Sequence, residues 1–376
     1  MENSSTQLKV LLVAEGSGGH LIPALQVAGA LAKAGCRPTV WYARRRHTAG
    51  LADALAKAGT AADVNVQAIP YATSRSFLGR LWQCGRLWSQ TQRWFDAVSP
   101  DVVVGFGGWV SAPVILAARA RRIRCMLHEQ NVAMGRANRL LTRWVYRVAV
   151  SFRETQRALG GTPSVVTGMP VRDVIGHSSR EEHAVRFGFS AQRPTVLVLG
   201  GSQGSQAVNR LVCDALGAAT DEERARWQCL HVTGAADEAK VREAYARWRM
   251  TAWVAPFVVD MEAAYAQADV VIARAGASTI TELARCGKPA IFIPYPHAES
   301  HQVTNARLVE SCGGGIVIEE RAVTPARLLS ALRRLLEDER LRTIMGAQMR
   351  SLGIPDAADR LTQAIVELHA LGRRTG

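Results

Sequence analysis

Five short segments hold residue types that handle phosphate, sugar hydroxyls and protons. They are Gly16-Ser17-Gly18-Gly19-His20, Gly105-Phe106-Gly107-Gly108-Trp109, His128-Glu129-Gln130-Asn131, Gly200-Gly201-Ser202-Gln203-Gly204 and Arg274-Ala275-Gly276-Ala277-Ser278-Thr279. Adjacent glycines let backbone N–H groups approach an anion, and a helix that starts there adds its positive end. Glycine also serves any sharp turn, so one such loop leaves both readings open. Its recurrence in one chain favours two phosphate-bearing ligands. His20, at the mouth of the first loop, carries a ring that titrates near ~6.5 and suits a general base for a hydroxyl. It is equally an ordinary polar residue at a helix start. Glu129 and Asn131 stand at a strand end, where the plain alternative is hydrogen bonding within the loop. His297 and His301 lack the companions of a metal site, and no D-x-D pair sits in a glycine-flanked loop, so no metal is expected.

The elements that must position these residues alternate strand and helix. An apolar run from Lys9 to Ala14 enters the first glycine loop, and a helical pattern through Leu21, Leu25, Ala28 and Leu31 follows. The design returns as a run from Thr195 to Leu199, the second loop, and a helix through Val208, Leu211, Val212 and Leu216. Further strand-like runs are Thr39–Tyr42, Asp101–Val104, Arg124–Leu127, Asp269–Ala273 and Ala290–Pro294. The reading is α/β, with two Rossmann-like domains and a cleft between them that holds ligands. The first domain covers 1–172 and the second 173–355, with the boundary in the polar stretch Arg172–Ser190. The segment 356–372, after Pro355, reads as a helix that packs back on the first domain.

Composition narrows the partners. The 376 residues include 46 Lys and Arg against 32 Asp and Glu, a net charge of +14. Residues 1–175 hold 22 of the basic and 9 of the acidic residues, leaving 24 and 23 for the rest, so the excess lies in the first half. That balance points to phosphate groups, nucleic acid or an anionic membrane surface. Seven scattered cysteines with no C-x-x-C suit reduced thiols, and the short apolar stretch Val10–Ala14 is too brief for a secretory signal. Arg44-Arg45-Arg46 occupies the second strand end, where a nicotinamide-binding fold places an acidic residue, which disfavours NAD.

In their order along the chain, these segments closely resemble the MurG family of bacterial N-acetylglucosaminyltransferases, from Lys9 to the helix after Pro355. The resemblance implies the GT-B fold. It also implies inverting transfer of GlcNAc from UDP-GlcNAc to undecaprenyl-pyrophosphoryl-MurNAc-pentapeptide, lipid I to lipid II, in peptidoglycan synthesis. It assigns the base to His20, with Glu129 as a second catalytic candidate, and needs no cofactor or metal. The acceptor pyrophosphate falls to Gly16, Ser17, Gly18, Gly19, Gly107 and Gly108. UDP-GlcNAc falls to Ser17, Gly18, Gly19, Asn131, Arg172, Ser202, Val258, Met261, Ala277, Ser278, Thr279, Ile280, Thr281, Glu282, Gln302 and Asn305. For Arg172 the plain alternative is a solvated linker charge, and for Val258 a core strand end. Thr279-Ile280-Thr281-Glu282 also fits a helix capping box. Three residues depart from the family pattern: Glu15 for a glycine, Trp109 for a common Tyr, and Met169 for the usual Asn.

Arg75–Val98 reads as an amphipathic helix with Phe77, Leu81, Cys84, Trp88 and Phe95 on one side and Arg75, Arg86 and Arg93 on the other. A helix packed on its own sheet is the common case. The wide apolar arc and the basic half point instead to membrane contact through Arg75, Phe77, Leu78, Arg80, Leu81 and Trp82, at the cytoplasmic face of the bacterial inner membrane. The expected partners are UDP-GlcNAc, lipid I, an anionic membrane and other cell-wall synthesis proteins, and not nucleic acid. The rivals are a UDP-GlcNAc 2-epimerase and a non-catalytic basic binder of RNA or lipid.

Overall fold

Strands that read as unbroken apolar runs are those buried on both faces, and they build two parallel sheets here. The computed structural model describes residues 7–44, 64–70, 77–201, 204–296 and 301–373. Arg45, Arg46, Arg75, Ser202 and His297 lie outside the described residues, and of Phe77, Leu78, Arg80 and Leu81 only the helical backbone is described. The chain divides into two units, Met1–Arg172 with Ile354–Gly376, and Asp173–Gly353.

The first unit contains β1 (Lys9–Glu15), β2 (Arg37–Arg44), β3 (Asn65–Pro70), β4 (Val102–Gly105), β5 (Arg124–Glu129), β6 (Arg147–Val150) and β7 (Ser164–Val166), in the order β3-β2-β1-β4-β5-β6-β7. All neighbours are parallel, and Val10 pairs with Pro38 on one side and Val102 on the other. Its helices among the described residues up to Arg172 are α1 (Gly18–Lys33), α2 (Phe77–Val98), α3 (Ser111–Ala120) and α4 (Arg136–Leu141). Alternate residues of β1 serve opposite cores. Val10, Leu12 and Ala14 pack with α1, whereas Leu11 and Val13 pack with residues of α2 and α3.

The second unit repeats the plan with β8 (Thr195–Leu199), β9 (Gln228–Val232), β10 (Thr251–Ala255), β11 (Val270–Ala273), β12 (Ala290–Phe292) and β13 (Gly315–Val317). Their order is β10-β9-β8-β11-β12-β13, again parallel. Its helices are α5 (Arg180–Phe187), α6 (Gln206–Gly217), α7 (Asp221–Arg226), α8 (Glu238–Arg247), α9 (Met261–Gln267), α10 (Ala277–Cys286), α11 (His301–Ser311), α12 (Pro325–Glu337) and α13 (Glu339–Ser351). The polar stretch after Arg172 is not a bare linker. Ser179 and Glu182 form a capping box at the start of α5, and Arg180 bonds Asp269 and Thr195 of the sheet. In both sheets the strand order reverses beside the first strand, between β1 and β4 and between β8 and β11. Open α/β sheets bind ligands at such switch points.

The chain ends in α14 (Ala357–Arg373), which belongs to the first unit. Leu361, Ala364, Ile365 and Leu368 enter the same core as α1, and the Arg124 guanidinium donates to the Leu368 carbonyl at 2.7 Å. The helix α2 corrects one sequence expectation. Its buried stripe runs through Leu87, Thr91 and Phe95, while Trp88 is 40% exposed. One residue is about 100° of helix, so an apolar side chain next to Leu87 turns away from the sheet.

Because Ile365 is fully buried, Ile365→Ala is expected to destabilise the first unit by about 3 kcal/mol, read from denaturant midpoints. An unchanged midpoint would show that α14 is not part of that core.

Candidate active site

In the first unit the switch point is lined by the loops after β1 and β4. Ser17 is the N-cap of α1, yet its hydroxyl does not bond the first-turn amides. It lies 2.7 Å from Nδ1 of His20 instead. Among the described residues, the other serine and threonine N-caps, Ser179, Ser205, Thr220 and Thr324, each accept an amide of their own helix. The His20 and Leu21 N–H groups donate to the Ser17 carbonyl, while those of Gly18 and Gly19 have no side-chain cap, which is what an anion site requires. Gly107 and Gly108 have φ of +90° and +76°, and a side chain on either meets this site. A Cβ on Gly107 would lie 3.2 Å from Cδ2 and Nε2 of His20, and one on Gly108 would lie 2.1 Å from Cγ of Glu15. The Nε2 edge of His20 thus faces Gly107.

Behind His20 is a second imidazole that the sequence reading passed over. His128 is fully buried, and its Nε2 lies 3.1 Å from the Gly168 carbonyl. A carbonyl only accepts, so Nε2 carries the proton and Nδ1 accepts from Nε2 of Gln130 at 3.3 Å. Gln130 also donates to the Phe106 carbonyl at 2.8 Å, which ties β5 to the turn after β4. Burial pushes the His128 imidazole down to about 4, against the Gly168 bond, which favours the charged ring. His128 is neutral at physiological pH, with a fixed tautomer.

Glu129 is placed as a loop organiser. Its carboxylate accepts from the Asn131 amide at 3.0 Å and side chain at 3.3 Å, the Gly135 amide at 3.0 Å and Asn138 at 2.8 Å. Three donors from its own loop and one from Asn138 of α4 hold both oxygens, which corrects its candidacy as a base. Asn131, half exposed, is oriented by that carboxylate. Arg172 is half buried at the end of the first unit.

In the second unit the switch point is flanked by the loops after β8 and β11. Gly276, with no side chain to offer, is the N-cap of α10, so the leading amides of that helix have no cap. Ala277, Ser278 and Thr279 form its first turn, with Ser278 and Thr279 half exposed. The capping box expected at Thr279 does not form, because the helix begins three residues earlier. Ile280 is fully buried and the Thr281 hydroxyl donates to the Ala277 carbonyl at 2.9 Å, so both side chains are held within the fold. Glu282 lies one turn in, and its Oε2 accepts from the Tyr265 hydroxyl at 2.7 Å. The Val258 side chain is buried between exposed Phe257 and Val259, and half-buried Met261 opens α9.

Gln302 accepts the Tyr295 amide at 2.9 Å through Oε1, which leaves its NH2 end as the donor side. Asn305, expected beside it, is instead fully buried and donates to the Ala275 carbonyl at 3.2 Å, which fixes the loop before α10 from behind. Arg274 opens the fifth motif. Its guanidinium donates to the Ser205 hydroxyl at 2.9 Å, to the Ile293 carbonyl at 3.0 Å and to Glu320, and lies 5.4 Å from the Tyr295 ring centroid. It joins the start of α6, the end of β12 and the loop after β13. A Cβ on Gly204 would lie 2.3 Å from the Thr233 carbonyl, which accepts from Asn209 at 2.8 Å. Asn209 is held in turn by Asp237 and His231.

Among the described residues there is no group of three or more His, Cys, Asp and Glu side chains arranged to hold a metal ion. Residues 10–150 match the glycosyltransferase family 28 N-terminal domain, and residues 195–361 match the glycosyltransferase family 28 C-terminal domain. The chain is similar to the UDP-N-acetylglucosamine--N-acetylmuramyl-(pentapeptide) pyrophosphoryl-undecaprenol N-acetylglucosamine transferase of Syntrophotalea carbinolica, 36% identical with 94% of this chain and 97% of that protein covered. The same-named enzyme of Rhodospirillum rubrum is 37% identical over 95% of this chain and 91% of its own length. Among solved structures, Acinetobacter baumannii MurG superposes with a TM-score of 0.75 at 27% identity, covering 95% of this chain and 99% of that one. A putative UDP-N-acetylglucosamine 2-epimerase from Listeria monocytogenes reaches 0.71 at 14% identity over 96% of each chain, a likeness of fold alone.

The neutral His128 predicts a pH dependence. Unfolded, the ring binds a proton below ~6.5; folded, it does so only below about 4, so stability falls as pH drops between these values. The loss is expected to reach roughly 3 kcal/mol, and His128→Gln should flatten that limb of a stability–pH curve. An equal slope in the variant would refute the buried neutral ring.

Proposed function

The chain belongs to glycosyltransferase family 28, and we propose from that membership and from the two switch points that it moves GlcNAc from UDP-GlcNAc to the MurNAc 4-hydroxyl of undecaprenyl-pyrophosphoryl-MurNAc-pentapeptide. The observation that carries the chemistry is the Ser17–His20 pair at the uncapped start of α1. With Nδ1–H donating to the Ser17 oxygen, the basic nitrogen of His20 is Nε2, the one facing Gly107. Nε2 takes the proton from the acceptor hydroxyl as that oxygen attacks the anomeric carbon and UDP departs from the opposite face. The imidazolium that results keeps its Ser17 bond. Charge on the leaving diphosphate is met by the α10 amides after Gly276, with Ser202 and Arg172 as further donors. Glu282, with its carboxylate oriented by Tyr265, accepts from the ribose hydroxyls, and Gln302 donates to the sugar.

The membrane reading concerns the first half of α2. Trp82 is 65% exposed, and the Arg86 guanidinium lies 5.7 Å from its ring centroid, with Trp88 and Arg93 also exposed. Indole rings and cations side by side suit the headgroup layer of an anionic bilayer, and a polyprenyl acceptor requires such a location. Among the described residues no helix is long and apolar enough to cross a membrane, and peripheral attachment at the cytoplasmic face is the proposed arrangement.

UDP release from UDP-GlcNAc, followed with and without a short-chain lipid I analogue, tests the reaction. Acceptor-dependent release with a disaccharide product is expected, whereas release without acceptor would favour an epimerase or hydrolase. His20→Ala should lower kcat by about 10²–10⁴, and Glu282→Ala should raise KM for UDP-GlcNAc about tenfold with little change in kcat. For the membrane, Trp82→Ala with Arg86→Gln should weaken sedimentation with anionic vesicles and leave turnover of the short-chain acceptor intact. Undiminished vesicle binding would remove α2 from the docking surface.

A further inference from the structure

The carboxylate of Glu15 sits where the first unit gathers its anion-binding backbone. Glu15 ends β1, directly before Gly16, and β1 neighbours β4, whose following turn holds Gly107 and Gly108. It shares the side of the strand with Leu11 and Val13, which directs it toward the loop that enters α3. There it fills the space a side chain on Gly108 would take. A Cβ at that glycine would lie 2.1 Å from Cγ, 2.3 Å from Cδ and 2.7 Å from Oε1 of Glu15. The residue is 8% exposed, so its charge is poorly screened.

We propose that Glu15 sets the affinity for the acceptor's pyrophosphate, as a fixed negative charge packed between the two glycine turns of the first unit. The proposal rests on the reading above, in which those turns hold that group. The pyrophosphate brings its own negative charges to the amides of Gly16–Gly19, one residue from the carboxylate. Like charges at this range, away from water, raise the free energy of the bound state. The 22 Lys and Arg of residues 1–175 supply the long-range attraction that brings the acceptor in, and Glu15 opposes it locally. The product carries the same pyrophosphate, so the same charge promotes its release. Gly108 is required for the arrangement, because any Cβ there displaces the carboxylate.

The test is steady-state UDP release by the full chain at saturating UDP-GlcNAc with varied short-chain lipid I analogue, for the wild type, Glu15→Gln and Glu15→Asp. Glu15→Gln keeps the shape and drops the charge. It should lower the acceptor KM on the order of tenfold at low salt and less at high salt, with KM for UDP-GlcNAc unchanged. Glu15→Asp, which keeps the charge, should stay close to the wild type. An acceptor KM that is unchanged or raised in Glu15→Gln overturns the proposal, as does a parallel change in both KM values, the mark of general distortion. If Glu15→Gln melts well below the wild type, Glu15→Ala gives the same comparison. Absence of acceptor-dependent UDP release in the wild type itself would sink the transferase reading. Wild-type turnover with an unshifted KM in the variants sinks only the role of Glu15.

Discussion

A helix that starts at the end of a parallel strand exposes amides with no acceptor of their own, and both units are built around that unmet demand. Among the described residues, five helices of the second unit meet it with a side chain. Ser179 and Thr220 form full capping boxes on α5 and α7, and Thr324 caps α12. At the switch points the demand is left open. Gly276 gives α10 nothing, and Ser17, a residue type that caps helices well, is turned to the imidazole of His20. One hydroxyl thus leaves the first amides of α1 without a cap and orients the His20 ring.

The open amides work only if the loops that present them hold their shape, and that shape is maintained by buried polar groups. Gln130 joins the turn after β4 to His128, and His128 joins it to Gly168 beside the start of α14, where a Cβ would lie 2.6 Å from Cβ of Ile354. A chain segment that returns from the second unit thereby supports the imidazole behind the base. Burial of His128 costs stability in acid, and the neutral ring it ensures spares His20 a neighbouring positive charge.

How much of this was legible in the sequence follows from the range of each interaction. The runs Lys9–Ala14 and Thr195–Leu199 announce buried parallel strands, because such strands are apolar throughout and their signal is local. The glycine loops are local for the same reason. The stripe on α2 was misjudged because spacing admits several apolar arcs on one helix, and only the sheet beneath selects Leu87 over Trp88. Thr279 and Glu282 have capping-box spacing, but the end of β11 starts the helix at Gly276, and strand length overrode the motif. Asn305, Glu129 and Arg274 were legible as polar residues near the site. Whether each would face a ligand or hold a loop depended on partners such as Ala275, Asn138 and Ser205, and only the tertiary fold brings those together.

Arg274 shows why the holding residues are as chemically specific as the contacting ones. It must satisfy a hydroxyl, a carbonyl and a carboxylate in three directions while its face lies against Tyr295. A planar guanidinium with five donors meets all of these at once; an ammonium on a flexible stem has three donors and no face to stack. The loop after β8 and the end of β12 are therefore fixed by one side chain, which itself lies at the switch point. Its charge is partly offset by Glu320, so the field at the start of α6 and α10 is set by a balanced pair. The first unit reverses that arrangement, with a carboxylate packed among open amides in a basic half. The two switch points thus share a backbone design and differ in the side chain that packs beside it, Arg274 in one and Glu15 in the other.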